Sequence, residues 1–87
     1  MSYKHFYTIE TCVKRQQLDP ETRAMLDKVV LGLRLVPTLG VYAAASDTWS
    51  ANVGSRLRVV YRIVSDPEPQ IVVIHIGPLA QSAQSLV

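Results

Sequence analysis

Cysteine is nearly absent from this chain. Cys12 is the only one in 87 residues, so no disulfide framework can staple the fold and no thiolate cluster can hold a metal. With Lys14 and Arg15 as its only nearby cations, Cys12 reads as a small hydrophobe rather than a nucleophile. No metal and no cofactor is expected. Charge is also sparse, at 18% of residues, and nine Lys and Arg against seven Asp and Glu leave a net charge of +2. That balance excludes a general nucleic-acid coat, although a local basic strand can still bind phosphate. No apolar run approaches the length that spans a bilayer, and the opening Met-Ser-Tyr-Lys-His lacks the apolar core of a signal peptide. A cytoplasmic protein without membrane contact is the expectation. Internal repeats, linkers and low-complexity segments are missing too.

What is present is enough to build a core. Hydrophobic residues make up 48%, which argues against disorder. A chain of this length forms one domain, residues 1–87, burying roughly 60–65% of the surface its unfolded form exposes.

The most informative stretch is Arg56-Leu57-Arg58-Val59-Val60-Tyr61-Arg62-Ile63-Val64. Leu57, Val59, Tyr61 and Ile63 alternate with Arg56, Arg58, Val60 and Arg62, the period of a half-buried antiparallel strand. Ile71-Val72-Val73-Ile74-His75-Ile76 forms a second run, and the prolines of Ser65-Asp66-Pro67-Glu68-Pro69 cannot donate to a ladder. The two runs predict a hairpin with a loop of about five residues. Strict alternation puts Val72, Ile74 and Ile76 on the core face with Leu57, Val59, Tyr61 and Ile63. Ile71, Val73 and His75 are then expected on the outer face beside Arg58, Val60 and Arg62.

Upstream, residues 3–9 carry the aromatic and β-branched side chains of a first strand. Residues 10–17 are ambiguous, with few apolar positions. Leu18-Asp19-Pro20-Glu21 supplies an N-cap acceptor, a proline for the first helical position and an acid at the positive end of the dipole. Leu26, Val29, Val30 and Leu33 follow at helical spacing, and Pro37 requires the helix to stop before it. Short strands are expected from Val41 and from Trp49, with a turn at Gly54-Ser55 and a strand end at Gly77-Pro78. Residues 79–87 have no charged side chain and read as a flexible tail. The predicted class is α+β: a small antiparallel sheet, made of a three-strand C-terminal meander plus an N-terminal strand, with one or two N-terminal helices on one face.

In three places the chain resembles the RelE/ParE superfamily of bacterial and archaeal toxins: the helix opening Leu-Asp-Pro-Glu-Thr-Arg at 18–23, the Val-Gly-Ser-Arg-Leu-Arg-Val-Val-Tyr run ending at Tyr61, and an apolar last strand reaching Gly77. The resemblance spans about residues 3–78. It implies the toxin of a type II toxin–antitoxin pair, held inactive by a cognate antitoxin and acting either through messenger RNA cleavage on the ribosome or on DNA gyrase. Arg58 matches the family's central strand arginine. The cations that ribonuclease members carry on the preceding strand would fall at Trp49-Ser-Ala-Asn-Val53, which has none, and the basic and aromatic close after the last strand is replaced by Pro78-Leu-Ala-Gln-Ser82. A non-catalytic toxin-fold module for partner binding or autoregulation is therefore the alternative function.

The candidate site follows from both readings. Arg58 is the candidate phosphate clamp, and His75 is the one candidate general base near it. Arg56, Arg58 and Arg62 are the candidate binders of phosphate or of an acidic partner. Val60, Ile71 and Val73 would form an exposed apolar patch that a partner covers, either the antitoxin or a second copy of the chain. His5 reads as structural or exposed, Trp49 as a core or rim residue with base stacking or partner anchoring as the alternative, and Tyr61 as a packed ring with its hydroxyl at a rim.

Overall fold

The computed structural model describes residues 3–79. Residues 80–87, most of the segment read as a tail, lie outside that range. Five strands run β1 Lys4–Tyr7, β2 Val41–Ala43, β3 Thr48–Val53, β4 Leu57–Val64 and β5 Gln70–Pro78, with helices α1 Ile9–Gln17 and α2 Pro20–Leu35. The architecture is α+β, as the sequence predicts. The sheet order is β1-β5-β4-β3-β2. β1 pairs with β5 in parallel and every other neighbour is antiparallel, so the N-terminal strand makes the sheet mixed.

Local chemistry sets the helix ends. The Asp19 side chain accepts the Thr22 backbone N–H, and Pro20 occupies the first turn. Val36 closes α2 immediately before Pro37, where a single 3-10 turn, Pro37–Leu39, begins. The ambiguous segment before it is helical because Thr8 caps it, accepting from Thr11 N. Arg15 joins the two helices through a forked pair with Asp27, Nε to Oδ1 at 2.9 Å and Nη2 to Oδ2 at 2.6 Å. No helix among the described residues is long and apolar enough to cross a membrane.

The core lies between α2 and one sheet face. Leu26, Val30 and Leu33 of α2 meet Val53, Val59, Tyr61, Ile71, Val73 and Ile76, all buried. Tyr61 is entirely enclosed, and its hydroxyl donates to the Pro37 carbonyl at 2.6 Å. The ring is packed as expected, but the hydroxyl sits in the interior, tying the 3-10 turn to the sheet.

Ile71 and Val73 overturn the expected facing. Both are 0% exposed and belong to the core. The cause is an irregularity in the β4–β5 ladder: Val60 pairs with His75 while the next residue, Tyr61, pairs with Val73. Ile74 is the extra residue of a β-bulge. An added residue shifts the phase of a period-two pattern by one, so the faces invert on one side of it. Above the bulge Ile71 and Val73 point into the core; beyond it Ile76 does.

Candidate functional site on the open sheet face

The face opposite α2 is assembled by the same alternation. Arg58, Val60 and Arg62 of β4 face outward, because Val59 and Tyr61 between them are buried. On β3 their cross-strand partners are Asn52 for Arg58 and Ser50 for Val60. On β5 they are Gly77 for Arg58, His75 for Val60 and Val72 for Arg62. Arg58 is therefore flanked by an amide on one side and a glycine on the other. It is half-buried, with Nε out of contact with solvent, whereas Arg56 and Arg62 are exposed.

His75 reaches this face only because of the bulge. Uninterrupted alternation from Ile71 and Val73 would carry it into the core; the extra residue at Ile74 turns it outward, two positions from Arg58 along the ladder. Bulges commonly re-aim a side chain in this way beside functional sites. The ring is exposed, and its Nε2 sits over Gly77, only 2.6 Å from where a Cβ would stand. The structure thus brings together Arg58, His75 and Val60, as the sequence analysis expected. It leaves Arg56 on the turn before β4, away from the centre, and removes Ile71 and Val73 from the surface altogether. The apolar part of the open face is Val60 with Val72, Val64 and Phe6, the last 47% exposed.

Two recesses adjoin these groups. A groove of about 500 Å³ runs beside Arg58, with Ser50 and Asn52 on one wall and Leu39 and Val41 on the other. A smaller one, about 260 Å³, lies between Ile74 and His75 and the Glu10 and Lys14 side chains of α1. The helix is held there by Thr11, which is buried and shares its hydroxyl proton between the Thr8 and Val73 carbonyls at 3.0 and 3.1 Å. Sequence reasoning overlooked Lys14, Asn52 and Gly77. A glycine inside an apolar strand was a legible signal of close approach, but Gly77-Pro78 reads more simply as a strand end.

The other residues singled out play structural parts. His5 and Tyr7 on β1 stack edge to face at 5.8 Å. Burial, with Arg34 nearby, lowers the His5 imidazole below its ordinary 6.5. Trp49 is half-buried against Tyr42, ring centroids 5.0 Å apart. Cys12 is exposed on α1 rather than packed as a small hydrophobe. Among the described residues no group of His, Cys, Asp and Glu is arranged to hold a metal ion.

No protein-family model and no curated protein matches the sequence. Solved structures do. A double arginine-to-alanine mutant of the Escherichia coli toxin RelE in the free state is 20% identical with a TM-score of 0.77, over 98% of this chain and 93% of that one. The toxin–antitoxin complex RelBE2 from Mycobacterium tuberculosis matches at 23% identity and TM-score 0.75, over 92% and 94%. An archaeal RelE–RelB complex from Pyrococcus horikoshii matches at 16% and 0.72, over 90% and 96%. The chain shares the fold of these RelE structures.

Proposed function

We propose that this chain is the toxin of a toxin–antitoxin pair, acting in the cytoplasm and neutralised by a cognate antitoxin, with the open sheet face around Arg58 as its working surface. One observation carries the reading. In a fold shared with RelE over nearly the whole chain, the arginine matching the family's central strand position lies half-buried near the start of the central strand β4, on the face that α2 leaves uncovered. A solved complex of the same fold is described as toxin with antitoxin, which supports a protein partner. The apolar patch of Val60, Val72 and Phe6 is the surface we assign to that partner, in place of the patch built on Ile71 and Val73. A second copy of the chain is the alternative occupant.

The chemistry is weak or absent messenger RNA cleavage. Stabilising charge that develops on a phosphate needs several preorganised donors, and removing one typically costs ~10²–10³ in rate. Here Arg58 is flanked on β3 by Ser50 and Asn52, neither of them a cation. Arg56, Arg62 and His75 are the groups left to compensate. The same absence favours the second reading, a toxin-fold module that binds its partner without catalysis.

Induced expression in a bacterial host tests both. The expected result is growth arrest, reversed by the adjacent reading frame, with no new 5′ ends on primer extension in the parent, Arg58→Ala or His75→Ala. Codon-registered cleavage by the parent that disappears in Arg58→Ala would restore the ribosome-dependent nuclease. A parent without effect on growth leaves the binding module.

A further inference from the structure

Gly77 is buried although it has no side chain, because the His75 ring covers it. A Cβ at this position would meet His75 Nε2 at 2.6 Å and both neighbouring ring carbons at 3.4 Å. The backbone does not ask for glycine here: Gly54, at φ 62°, is the glycine with a left-handed conformation among the described residues. A strand interior that uses glycine without needing its dihedral freedom does so for space. That space faces Arg58, the cross-strand partner of Gly77, and side chains so paired stand roughly 4.5–5.5 Å apart at Cβ. The imidazole therefore fills the volume through which a residue at 77 would have faced Arg58.

We propose that Gly77 is a positioning residue: its missing side chain seats the His75 imidazole beside Arg58, so that the two donate together to one phosphate group. This rests on the reading of the open face as the working surface. Three donor-bearing residues on three adjacent strands, Asn52, Arg58 and His75, share this face of the sheet. A tetrahedral group with oxygens splayed out of plane engages such a set more fully than a planar carboxylate does. The β5 bulge and Gly77 act in series: the first turns His75 to the outer face, the second lets its ring lie down along the strand. Neither residue is a cation, so charge counting along the sequence passes over both.

Gly77→Ala separates this from a merely structural glycine. The ring is the free end of a rotatable side chain, so it gives way and the fold survives. In the parent, nuclear Overhauser contacts are expected between the His75 ring protons and the Gly77 α protons. Titration with inorganic phosphate should shift the Arg58 side-chain and His75 ring resonances together, acetate at the same concentration doing so far less. Gly77→Ala should weaken phosphate binding about tenfold, the effect of one charge-assisted hydrogen bond. In a His75→Ala background the same substitution should change nothing further. Absent ring contacts in the parent, equal response to acetate, no phosphate response at Arg58 and His75, or an undiminished Gly77→Ala effect without His75 would each overturn the proposal. Growth arrest is not a readout here, so a parent harmless to cells sinks the toxin reading and leaves this one standing.

Discussion

His5 shows how little a residue's type says about its role. It sits in β1 against Tyr7, and burial with the Arg34 charge nearby keeps its imidazole below 6.5. A histidine depressed in the fold favours the neutral form there. Its contribution is complete above 6.5 and is lost as pH falls through the folded value, because the unfolded chain takes up the proton first. Thermal melts on acidification from above 6.5 should therefore show the parent losing more stability than His5→Gln. Parallel curves would mean that His5 does not carry the effect. His75, of the same type, is exposed on the opposite face and owes its place to its neighbours.

The β4–β5 hairpin determines which substitutions the fold tolerates. Val73 is fully buried opposite Tyr61 and accepts, through its carbonyl, the Thr8 backbone N–H and the Thr11 hydroxyl. Val73→Asp would place a carboxylate among the buried apolar side chains of the core. A loss on the order of 4–5 kcal/mol is expected, most of the stability of a small domain, and urea denaturation should show it. Val72→Asp, one position away on the open face, should melt close to the parent. Similar curves for the two variants would contradict the bulge and the facing it imposes.

At the scale of the molecule, the first strand closes the sheet against the last. β1 is the parallel partner of β5, and Tyr3 just before it exchanges two hydrogen bonds with Arg34, donating its N–H to the carbonyl at 2.7 Å and accepting from Nε at 2.6 Å. These contacts join the two ends of the described chain and expose β5 and the core if they are lost. Removal of residues 1–7 should abolish the cooperative thermal transition seen by circular dichroism. A truncated chain melting like the parent would show β1 to be dispensable.

The sequence by itself determined what depends on neighbours along the chain. Asp19 and Pro20 start α2 and Pro37 ends it, since capping and missing amide donors act within one turn. The alternation of residues 57–64 defines β4, and prolines at 67 and 69 mark the hairpin loop. Arg58 could be singled out because its strand holds phase from Leu57 to Ile63. Tertiary structure decided the rest. Periodicity assumes that every residue advances the pleat by one step, and the extra residue at Ile74 breaks that assumption. Which side of the break faces inward is set by Ile71 and Val73 packing on α2 rather than by any local preference. The parallel pairing of β1 with β5, the burial of the Tyr61 hydroxyl at Pro37 and the seat of His75 over Gly77 all join residues that meet only when the sheet closes.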